Sequence, residues 1–407
     1  MSWPSVKLSD VLEFHRGITF KPEDKVETFS PSSVVCMRTK NVQEQLDESD
    51  IIAVPESFVK RDELYLQEGD LLISSANSWN LVGKVVRIPQ LNYRATAGGF
   101  ISILRPLKQF IDPDYLYRFI GSDEQQHKIR HLGRQTTNIS NLDRKRFLDL
   151  RIPLPSLSVQ KQIAAVLEKA DRLRQQNQKM EQELNSLAQS VFLDMFGDPV
   201  TNPRGWEKKT VGSLLIGKPK IGTTKPSHED GVQRVVRVGE LGTKKLKYEK
   251  CAAITLTGKD YDTYKLEKGD YLLARAIGSF DHLGKASIFY SQKEDYVYDS
   301  HVMRLRFDQE VMKSEFFYHF MLTEGGRSIF LKNSARTSVQ FNINSKQISS
   351  IELPVPPASL QEAYVEILHQ INCRLESCQK NKKNFEECFN SLMQRAFKGE
   401  LDLKDVA

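Results

Sequence analysis

The sequence of 407 residues lacks any run of 18 or more apolar residues, the length that a membrane-spanning helix requires. Its first residues, MSWPSVKLSDVLEF, lack the apolar core of a secretory signal peptide. The five cysteines are odd in number and form no CxxC pattern, which fits reduced thiols better than a disulfide framework. We therefore expect a cytoplasmic protein whose 40% of hydrophobic residues suffices for globular cores.

Catalytic and cofactor-binding motifs are also missing. Asp112–Tyr115 resembles the [ND]-P-P-[YF] motif of amino methyltransferases, but an aspartate replaces the second proline and no glycine-rich loop precedes it. Gly278–Lys285 resembles a phosphate-binding loop, but it is one residue too long, and Ala286 follows where Ser or Thr must hold magnesium. His127 and His131 have no Cys or carboxylate to complete a zinc site. We predict that the chain has no catalytic centre, metal or cofactor of its own.

What the sequence has instead is a repeat, because its first half returns about 201 residues later. Tyr65–Ile88, which contains GDLLIS, returns as Tyr264–Phe289, which contains GDYLLAR. Ile152–Ile163 returns as Leu353–Tyr364. Length alone suggests two to three domains. The repeat predicts two similar globular units, each followed by a long helix, which together can contact two similar but non-identical targets.

Composition divides the chain into four parts. We predict a globular unit at 1–156, a helix at 157–197, a second globular unit at 198–357 and a second helix at 358–400. The sequence GDPVTNPRGW after the first helix is rich in the Gly, Pro and Asn of turns. Short strands outnumber helices in each globular unit, so each is predicted to be an α+β domain.

The two helical segments have apolar residues at alternating spacings of four and three, which is typical of coiled coils. The first seam comprises Val159, Ile163, Val166, Ala170, Leu173, Asn177, Met180, Leu184, Leu187 and Val191. The second seam, 360–392, is interrupted by Arg374 and Asn381. Stripes of equal length predict an antiparallel pair roughly 60 Å long at about 1.5 Å per residue. Alternatively, each stripe packs on its own globular unit.

The net charge of +6 lies in the globular units. Basic and acidic residues balance in the helical segments, with five of each in 157–197 and six of each in 358–400. A basic excess in paired modules fits a polyanionic partner such as nucleic acid, although mildly basic globular proteins are also common.

The loops of the globular units contain side chains that are suited to DNA contact. Arg can read guanine with two hydrogen bonds, Asn and Gln can read adenine, and Ser, Thr and Lys can hold phosphates. Corresponding loops differ in chemistry while their flanking strands match, as two readers of different base sequences require. The predicted DNA-binding residues are Arg38, Lys40, Asn41, Ser75, Asn77, Trp79, Asn80, Lys84, Arg134, Gln135, Thr136, Thr137, Arg237, Arg275, Ser279, His282, Lys285, Arg336, Thr337, Ser338 and Gln340.

These features together resemble the specificity (S) subunit of type I restriction–modification systems, over essentially the full length. The likeness rests partly on the I-P-L-P and L-P-V-P sequences that precede the long helices, followed by Gln160 or Gln361, and on the helix ends SLAQSVFLDMFGDP and SLMQRAFKGEL. It also rests on paired G-D-aliphatic strands with a later Gly-Lys, at Gly69, Asp70, Gly83 and Lys84, and at Gly269, Asp270, Gly284 and Lys285.

The resemblance implies two pseudo-repeated α+β target recognition domains separated by two long antiparallel coiled-coil helices. Each domain would read one half of a bipartite, asymmetric site in double-stranded DNA, and the helices would fix the gap, about one turn of DNA or somewhat more. Two modification (M) subunits would dock on the helices and supply S-adenosylmethionine and adenine methylation. Two restriction (R) subunits, in systems that also cut DNA, would add ATP- and Mg-dependent translocation and cleavage. The S subunit itself would be non-catalytic.

The residues leave two alternatives. A coiled-coil adaptor that binds proteins without recognising DNA sequence would explain the repeat and the stripes, but not the basic globular units. Partner binding that is indifferent to salt and DNA would indicate this adaptor. A self-sufficient DNA enzyme would need the cofactor or metal motifs that the sequence lacks.

Overall fold

The chain forms two compact units in a computed structural model. Unit 1 comprises Met1–Asn177 and Asn381–Ala407, and unit 2 comprises Gln178–Lys380. Among the residues that the structure describes, no helix is long and apolar enough to cross a membrane. The described residues are 3–135, 139–242, 246–277, 285–290, 294–332, 335–336 and 341–403.

Unit 1 contains short strands, three short helices and part of each long helix. The strands are β1 (Ser5–Lys7), β2 (Leu12–Arg16), β3 (Ser33–Met37), β4 (Ile52–Pro55), β5 (Leu71–Ser74), β6 (Ala76–Asn77), β7 (Val85–Arg87), β8 (Ala95–Ala97), β9 (Ile101–Pro106), β10 (Arg134–Gln135), β11 (Ser140–Asn141) and β12 (Arg151–Pro153). The helices are α1 (Pro113–Gly121), α2 (Asp123–Leu132), α3 (Arg144–Leu148) and the first part of α4 (Leu157–Phe196).

Unit 1 is built around an antiparallel sheet with the strand order β2-β9-β5-β7. A second sheet has the order β4-β3-β8, in which β3 and β8 run parallel. A small third sheet has the order β10-β11-β6, and β1 pairs with β12 immediately before α4. Alternate residues of β5 and β9, such as Ile73 and Leu104, form a core with Tyr115 and Leu116 of α1.

Unit 2 continues along the chain. Its strands are β13 (Lys208–Thr210), β14 (Lys220–Ile221), β15 (Gln233–Val236), β16 (Ala252–Ile254), β17 (Tyr271–Ala274), β18 (Ala276–Ile277), β19 (Ala286–Ile288), β20 (Tyr296–Tyr298), β21 (Val302–Leu305), β22 (Ala335–Arg336), β23 (Phe341–Asn342) and β24 (Glu352–Pro354). Its helices are α5 (Gly258–Tyr264), α6 (Ser314–Leu322), α7 (Glu324–Lys332), α8 (Ser345–Ser349) and part of α9 (Ala358–Lys398).

Unit 2 repeats the topology of unit 1 strand for strand. Its sheets have the orders β14-β21-β17-β19, β16-β15-β20 and β18-β23-β22, and β13 pairs with β24. The strand β15 runs parallel to β20, as β3 does to β8. The predicted fold class, two similar α+β domains with two long helices, is therefore confirmed.

The repeated Gly-Asp dipeptide has a structural cause in both units. Gly69 and Gly269 have φ angles of +89° and +91°, which side chains with a Cβ rarely adopt. The aspartate that follows is buried and accepts two hydrogen bonds from an arginine that lies in the neighbouring strand in unit 1 and directly after it in unit 2. In unit 1 the Arg105–Asp70 distances are 3.0 and 2.7 Å, and in unit 2 the Arg306–Asp270 distances are 2.7 and 2.8 Å.

The two long helices contact each other within each unit. In unit 1, Ile163 and Leu167 near the start of α4 share a core with Met393 and Ala396 near the end of α9. In unit 2, the end of α4 packs with the start of α9, and the Tyr364 hydroxyl donates to the carbonyl of Ala188 at 3.0 Å. In both units the start of one long helix therefore packs against the end of the other, which confirms the antiparallel pairing.

The helices also pack on the globular part of their own unit. Phe397 of α9 lies 5.2 Å from both Tyr115 and Phe119 of α1, measured between ring centroids. In unit 2, Phe192 of α4 stacks on Phe316 of α6 at 5.4 Å. The two arrangements that the sequence presented as alternatives therefore occur together.

The buried face of α4 differs from the predicted seam. Three seam residues, Leu173, Met180 and Leu187, are 44%, 52% and 45% exposed. The polar residues Gln160 and Asp171 are buried instead, and the reason is that each has polar partners. On α9, Leu375 is buried beside the exposed Arg374, and Asn381 is also exposed, so these polar residues do not interrupt the contact.

Candidate nucleic-acid interface

A small sheet brings together two loops of unit 1 that the sequence separates by more than fifty residues. The strand β11 pairs with β10 on one side and with β6 on the other. Asn77 thereby lies opposite Ser140, and Arg134 lies opposite Asn141. We call β6, β10 and β11 the tip sheet of unit 1. The predicted DNA-binding segments 74–80 and 133–140 therefore each contribute strands to one sheet.

Unit 2 has an equivalent tip sheet of β18, β22 and β23. Ala276 lies opposite Asn342, and Arg336 lies opposite Phe341. Two of the predicted residues, Gln135 of β10 and Arg336 of β22, therefore lie in the strands of the tip sheets. Seven predicted residues lie outside the described residues: Thr136, Thr137, Ser279, His282, Thr337, Ser338 and Gln340.

Ser75 and Arg275 occupy the same backbone position in the two units. The amide of Ser75 donates to the carbonyl of Phe100 at 2.8 Å, and that of Arg275 donates to His301 at 3.1 Å. Their own carbonyls accept from Leu142 at 2.8 Å and Ile343 at 3.0 Å, respectively. One scaffold therefore presents a hydroxyl in unit 1 and a guanidinium in unit 2.

The polar side chains of the unit 1 tip are held by local hydrogen bonds. The Ser75 hydroxyl donates to that of Ser102 at 2.6 Å, and the Asn77 amide donates to the Ser74 hydroxyl at 3.2 Å. Asn80 is exposed. In unit 2, Nε of Arg275 donates to the carbonyl of Ser300 at 2.8 Å, which fixes the direction of its side chain.

Trp79 forms an aromatic and cationic group with helix α2. The indole is 37% exposed and meets the ring of His131 edge-on, with 5.7 Å between centroids. The guanidinium of Arg130 lies 6.0 Å from the indole centroid, within cation–π range. Sequence reasoning did not select Arg130, because only the fold brings α2 to Trp79.

Arg38, Lys40 and Asn41 belong to one turn after β3. Arg38 and Lys40 both bind the carboxylate of Asp50, at 3.1 and 2.8 Å. The hydrogen bond from Lys40, followed by the charge of Arg38, lowers the pKa of Asp50. Asn41 is fully buried, and its amide nitrogen donates to the carbonyls of Asp47 and Asp50. Any contribution of Asn41 to binding therefore acts through the shape of this turn.

The corresponding turn of unit 2 has different chemistry. The Arg237 guanidinium donates to the Ser227 hydroxyl at 2.5 Å, and the Arg237 amide donates to Glu240 at 2.7 Å. The equivalent amide of Arg38 donates to Asn41 instead, also at 2.7 Å. An acidic side chain thus replaces a neutral one at this position.

The lysines of the repeated Gly-Lys pairs are half-buried beside these turns. Lys84 donates to the side chain of Gln43 at 2.5 Å, and Lys285 to the carbonyl of Val238 at 3.4 Å. Burial, with a smaller contribution from the charge of Lys247, lowers the pKa of Lys285. Both lysines support the turns that carry Arg38 and Arg237.

The motifs that only resemble catalytic sites have structural roles where the structure describes them. The Asp112 carboxylate caps α1 by accepting from the amides of Asp114 and Tyr115, each at 3.0 Å. The rings of His127 and His131 contact each other in a tilted arrangement, with 4.3 Å between their centroids. Within the described ranges, no group of three or more His, Cys, Asp or Glu could hold a metal ion. Most of Gly278–Lys285 lies outside those ranges.

The chain matches a protein-family model twice. The family is described as the type I restriction modification DNA specificity domain, and the matches cover residues 2–186 and 203–384. Together they span most of the chain, and each match begins in a globular unit and extends into the long helix that follows it.

Individual relatives match over nearly the whole chain. The StySPI specificity subunit of a type I restriction enzyme from Salmonella potsdam is 28% identical over 417 residues, covering 98% of this chain and 89% of the relative. The EcoKI specificity subunit of Escherichia coli K12 is 25% identical over 422 residues, with the same coverage. The crystal structure of the type I S subunit from M. genitalium has a TM-score of 0.59 at 15% identity, covering 98% of this chain and 96% of that one.

Proposed function

Because the chain belongs to the type I restriction–modification DNA specificity family, we propose that its two units read the two halves of a bipartite, asymmetric DNA site. The observation that carries this proposal is the pair Ser75 and Arg275. Equivalent backbone hydrogen bonds hold a hydroxyl directly before β6 in unit 1 and a guanidinium directly before β18 in unit 2. A hydroxyl can contact several bases, whereas a guanidinium favours guanine. The two units are therefore suited to different base sequences.

The proposal includes partners for the helices and no chemistry on this chain. Two M subunits would dock on α4 and α9 and supply S-adenosylmethionine and adenine methylation. R subunits, in a system that also cuts DNA, would supply the ATP- and Mg-dependent steps. The helices would set the unspecified gap between the half-sites, and phosphate contacts from Lys and Arg would supply affinity that falls with salt.

Methylome sequencing tests this function directly. The chain would be expressed with the M subunit encoded beside it in a host that lacks adenine methylation. We expect methylation at a split motif of two short, different half-sites around a fixed gap, and no methylation when this chain is deleted. Replacing 1–156 with the matching unit of a relative should change one half-site only. A continuous motif, or methylation without this chain, would refute the proposal and favour the adaptor.

The exposed apolar side chains of α4 give a prediction for M-subunit docking. Met180 and Leu187 are seven residues apart, so they share one face of the helix. We expect the double substitution Met180→Glu with Leu187→Glu to weaken capture of the M subunit about 10-fold or more, because charges would replace apolar anchors. The measurement is co-purification on the tagged chain, with DNA binding as the check on folding.

A matched control for docking lies on the same helix. Gln178 and Gln182 are exposed and point about 160° away from Met180. Gln178→Glu with Gln182→Glu makes the same change in charge and should leave M-subunit capture within about twofold of the unsubstituted chain. Equal losses in both pairs would show that charge, rather than an apolar contact, governs docking.

A further inference from the structure

Unit 1 contains a basic cleft that the function has not yet accounted for. The cleft has a volume of about 470 Å³ and lies between β2 and α3. We call it the basic cleft and define it by Phe14, His15, Arg16, Arg61 and Arg144, which line it with the acidic Glu13.

The end of β2 and the start of α3, which form the two walls of the basic cleft, both lie near the unit 1 tip sheet. Across the main sheet, Arg16 lies opposite Ser102, and Ser102 lies opposite Ile73, two residues before Ser75. Neighbouring strands are about 4.8 Å apart, so the backbone of Arg16 lies roughly 10 Å from that of Ile73. The other wall, α3, begins three residues after β11, and Leu142 between them donates to the Ser75 carbonyl at 2.8 Å.

The charge in the basic cleft is only partly neutralised. His15 contacts Glu13 at 3.0 Å, and Arg61 pairs with Glu63 at 3.2 Å. Arg16 and Arg144 are exposed, and neither forms an ion pair with any other residue in the described part of the chain. The Arg144 guanidinium lies 5.4 Å from the centroid of the Phe14 ring, which holds its charge over the cleft.

Unit 2 lacks both of these exposed arginines at the equivalent positions. Gly17 and Gly222 are equivalent, because the amide of each donates to the carbonyl of the first residue of the neighbouring strand. These residues are Ile101 of β9 and Val302 of β21. Ile221 therefore stands where unit 1 has Arg16. At the start of α8, Ser345 stands where α3 has Arg144, each directly after the residue that caps its helix. The arginine pair therefore belongs to unit 1 only, although the exposed Lys220 stands where unit 1 has His15.

We propose that the basic cleft binds a backbone phosphate of the DNA beside the half-site that unit 1 reads. Arg16 and Arg144 would be the phosphate contacts, since a guanidinium can donate two parallel hydrogen bonds to phosphate oxygens. The cleft would set the position of unit 1 on the duplex without reading bases. The proposal rests on the proposed function, because it assumes that the tip sheet approaches DNA.

The test compares the salt dependence of DNA binding. The full chain, purified with its M subunit, would be titrated with a duplex carrying the methylated motif and with a random-sequence duplex. Each phosphate contact contributes about −0.9 to the slope of log K against log salt. We expect Arg16→Gln with Arg144→Gln to make the slope shallower by about 1.8 on both duplexes. Between 50 and 200 mM salt the unsubstituted complex would then lose roughly 10-fold more affinity than this variant.

Two further variants separate charge from folding. Arg16→Lys with Arg144→Lys keeps both charges and should retain most of the slope. Arg172→Gln removes one exposed charge from α4, outside the basic cleft, and should leave the slope unchanged. In phosphate-ethylation interference, the double Gln variant should lose phosphate contacts at one edge of the site only, next to the half-site of unit 1.

The remaining outcomes distinguish this proposal from the proposed function. If the unsubstituted complex binds DNA and the double Gln variant has the same slope, the basic cleft is not a phosphate site. If that variant keeps its slope but loses the M subunit, the basic cleft holds an acidic protein segment instead. If the unsubstituted complex binds neither duplex, the proposed function fails, and this proposal fails with it.

Discussion

The Asp270→Ala variant is expected to lose about 3–5 kcal/mol of the free energy of unfolding of unit 2, because it leaves a largely buried guanidinium without its main partner. The Asp270 carboxylate is fully buried and accepts two hydrogen bonds from Arg306. It also accepts from the amide of Glu267 at 2.8 Å. The bond to Asp270 raises the pKa of Arg306 further, and the arginine remains charged without it because a guanidinium is always protonated in proteins. Glu267, which contacts Arg306 at 2.8 Å, compensates only in part.

Urea denaturation, with hydrogen exchange measured on peptides from β17 and β21, would test this prediction. Asp70→Ala should have a similar effect in unit 1, where Arg105 is the partner. Asp262→Ala removes an exposed carboxylate from the same unit as Asp270 and should change stability by less than about 0.5 kcal/mol. A loss below about 1 kcal/mol for Asp270→Ala would mean that water replaces the carboxylate at little cost.

Gln160→Leu and Gln361→Leu are expected to destabilise their units by similar amounts, about 2–5 kcal/mol each. Both glutamines are fully buried at the start of a long helix. The Gln160 side chain accepts from the amide of Asp112 at 2.8 Å and donates to the carbonyls of Phe110 and Pro155, at 3.1 and 2.9 Å. A leucine would leave these three backbone groups, which are partly or fully buried, without this partner.

The arrangement around Gln361 is the same, which makes the pair an internal replicate. Gln361 accepts from Lys313 at 2.9 Å and donates to Val311 and Pro356, at 3.0 and 2.9 Å. Hydrogen exchange at the amides of Asp112 and Lys313 would report the loss directly. The exposed Gln182→Leu should have little effect on either unit. Exchange that stays slow in both buried variants would show that these side-chain hydrogen bonds do not protect the two amides.

The sequence predicted the fold because its strongest signals are local and occur twice. The Gly-Asp turn, the proline-rich segment before each helix and the helical periodicity each specify structure within a few residues. The sequence predicted less well which residues of the long helices are buried where they meet. Asp171 is polar but buried, because Arg118 pairs with it at 2.7 Å from another part of the chain. A pattern of apolar residues alone selected Leu173 and Met180, which are exposed.

The candidate interface could be predicted only where local sequence composition points to it. Loop composition selected the two segments of the unit 1 tip sheet, but only strand pairing shows that they meet. Composition could not show that Asn41 is buried. Nor could it select Arg16 and Arg144, which lie far apart in sequence, because strand order and the position of α3 bring them to one cleft. Side chains that act through distant neighbours leave no local pattern.

The division of the chain into units has a consequence for synthesis on the ribosome. Unit 2 is one continuous segment, whereas the core of unit 1 joins Leu167 to Met393 and Ala396. Translation adds about 5–20 residues per second, so Met393 emerges roughly 10 to 45 s after Leu167. During that interval the apolar face of the first half of α4 has no helix to cover it. We expect nascent chains to bind chaperones at this face, and unit 2 to become protease-resistant before unit 1.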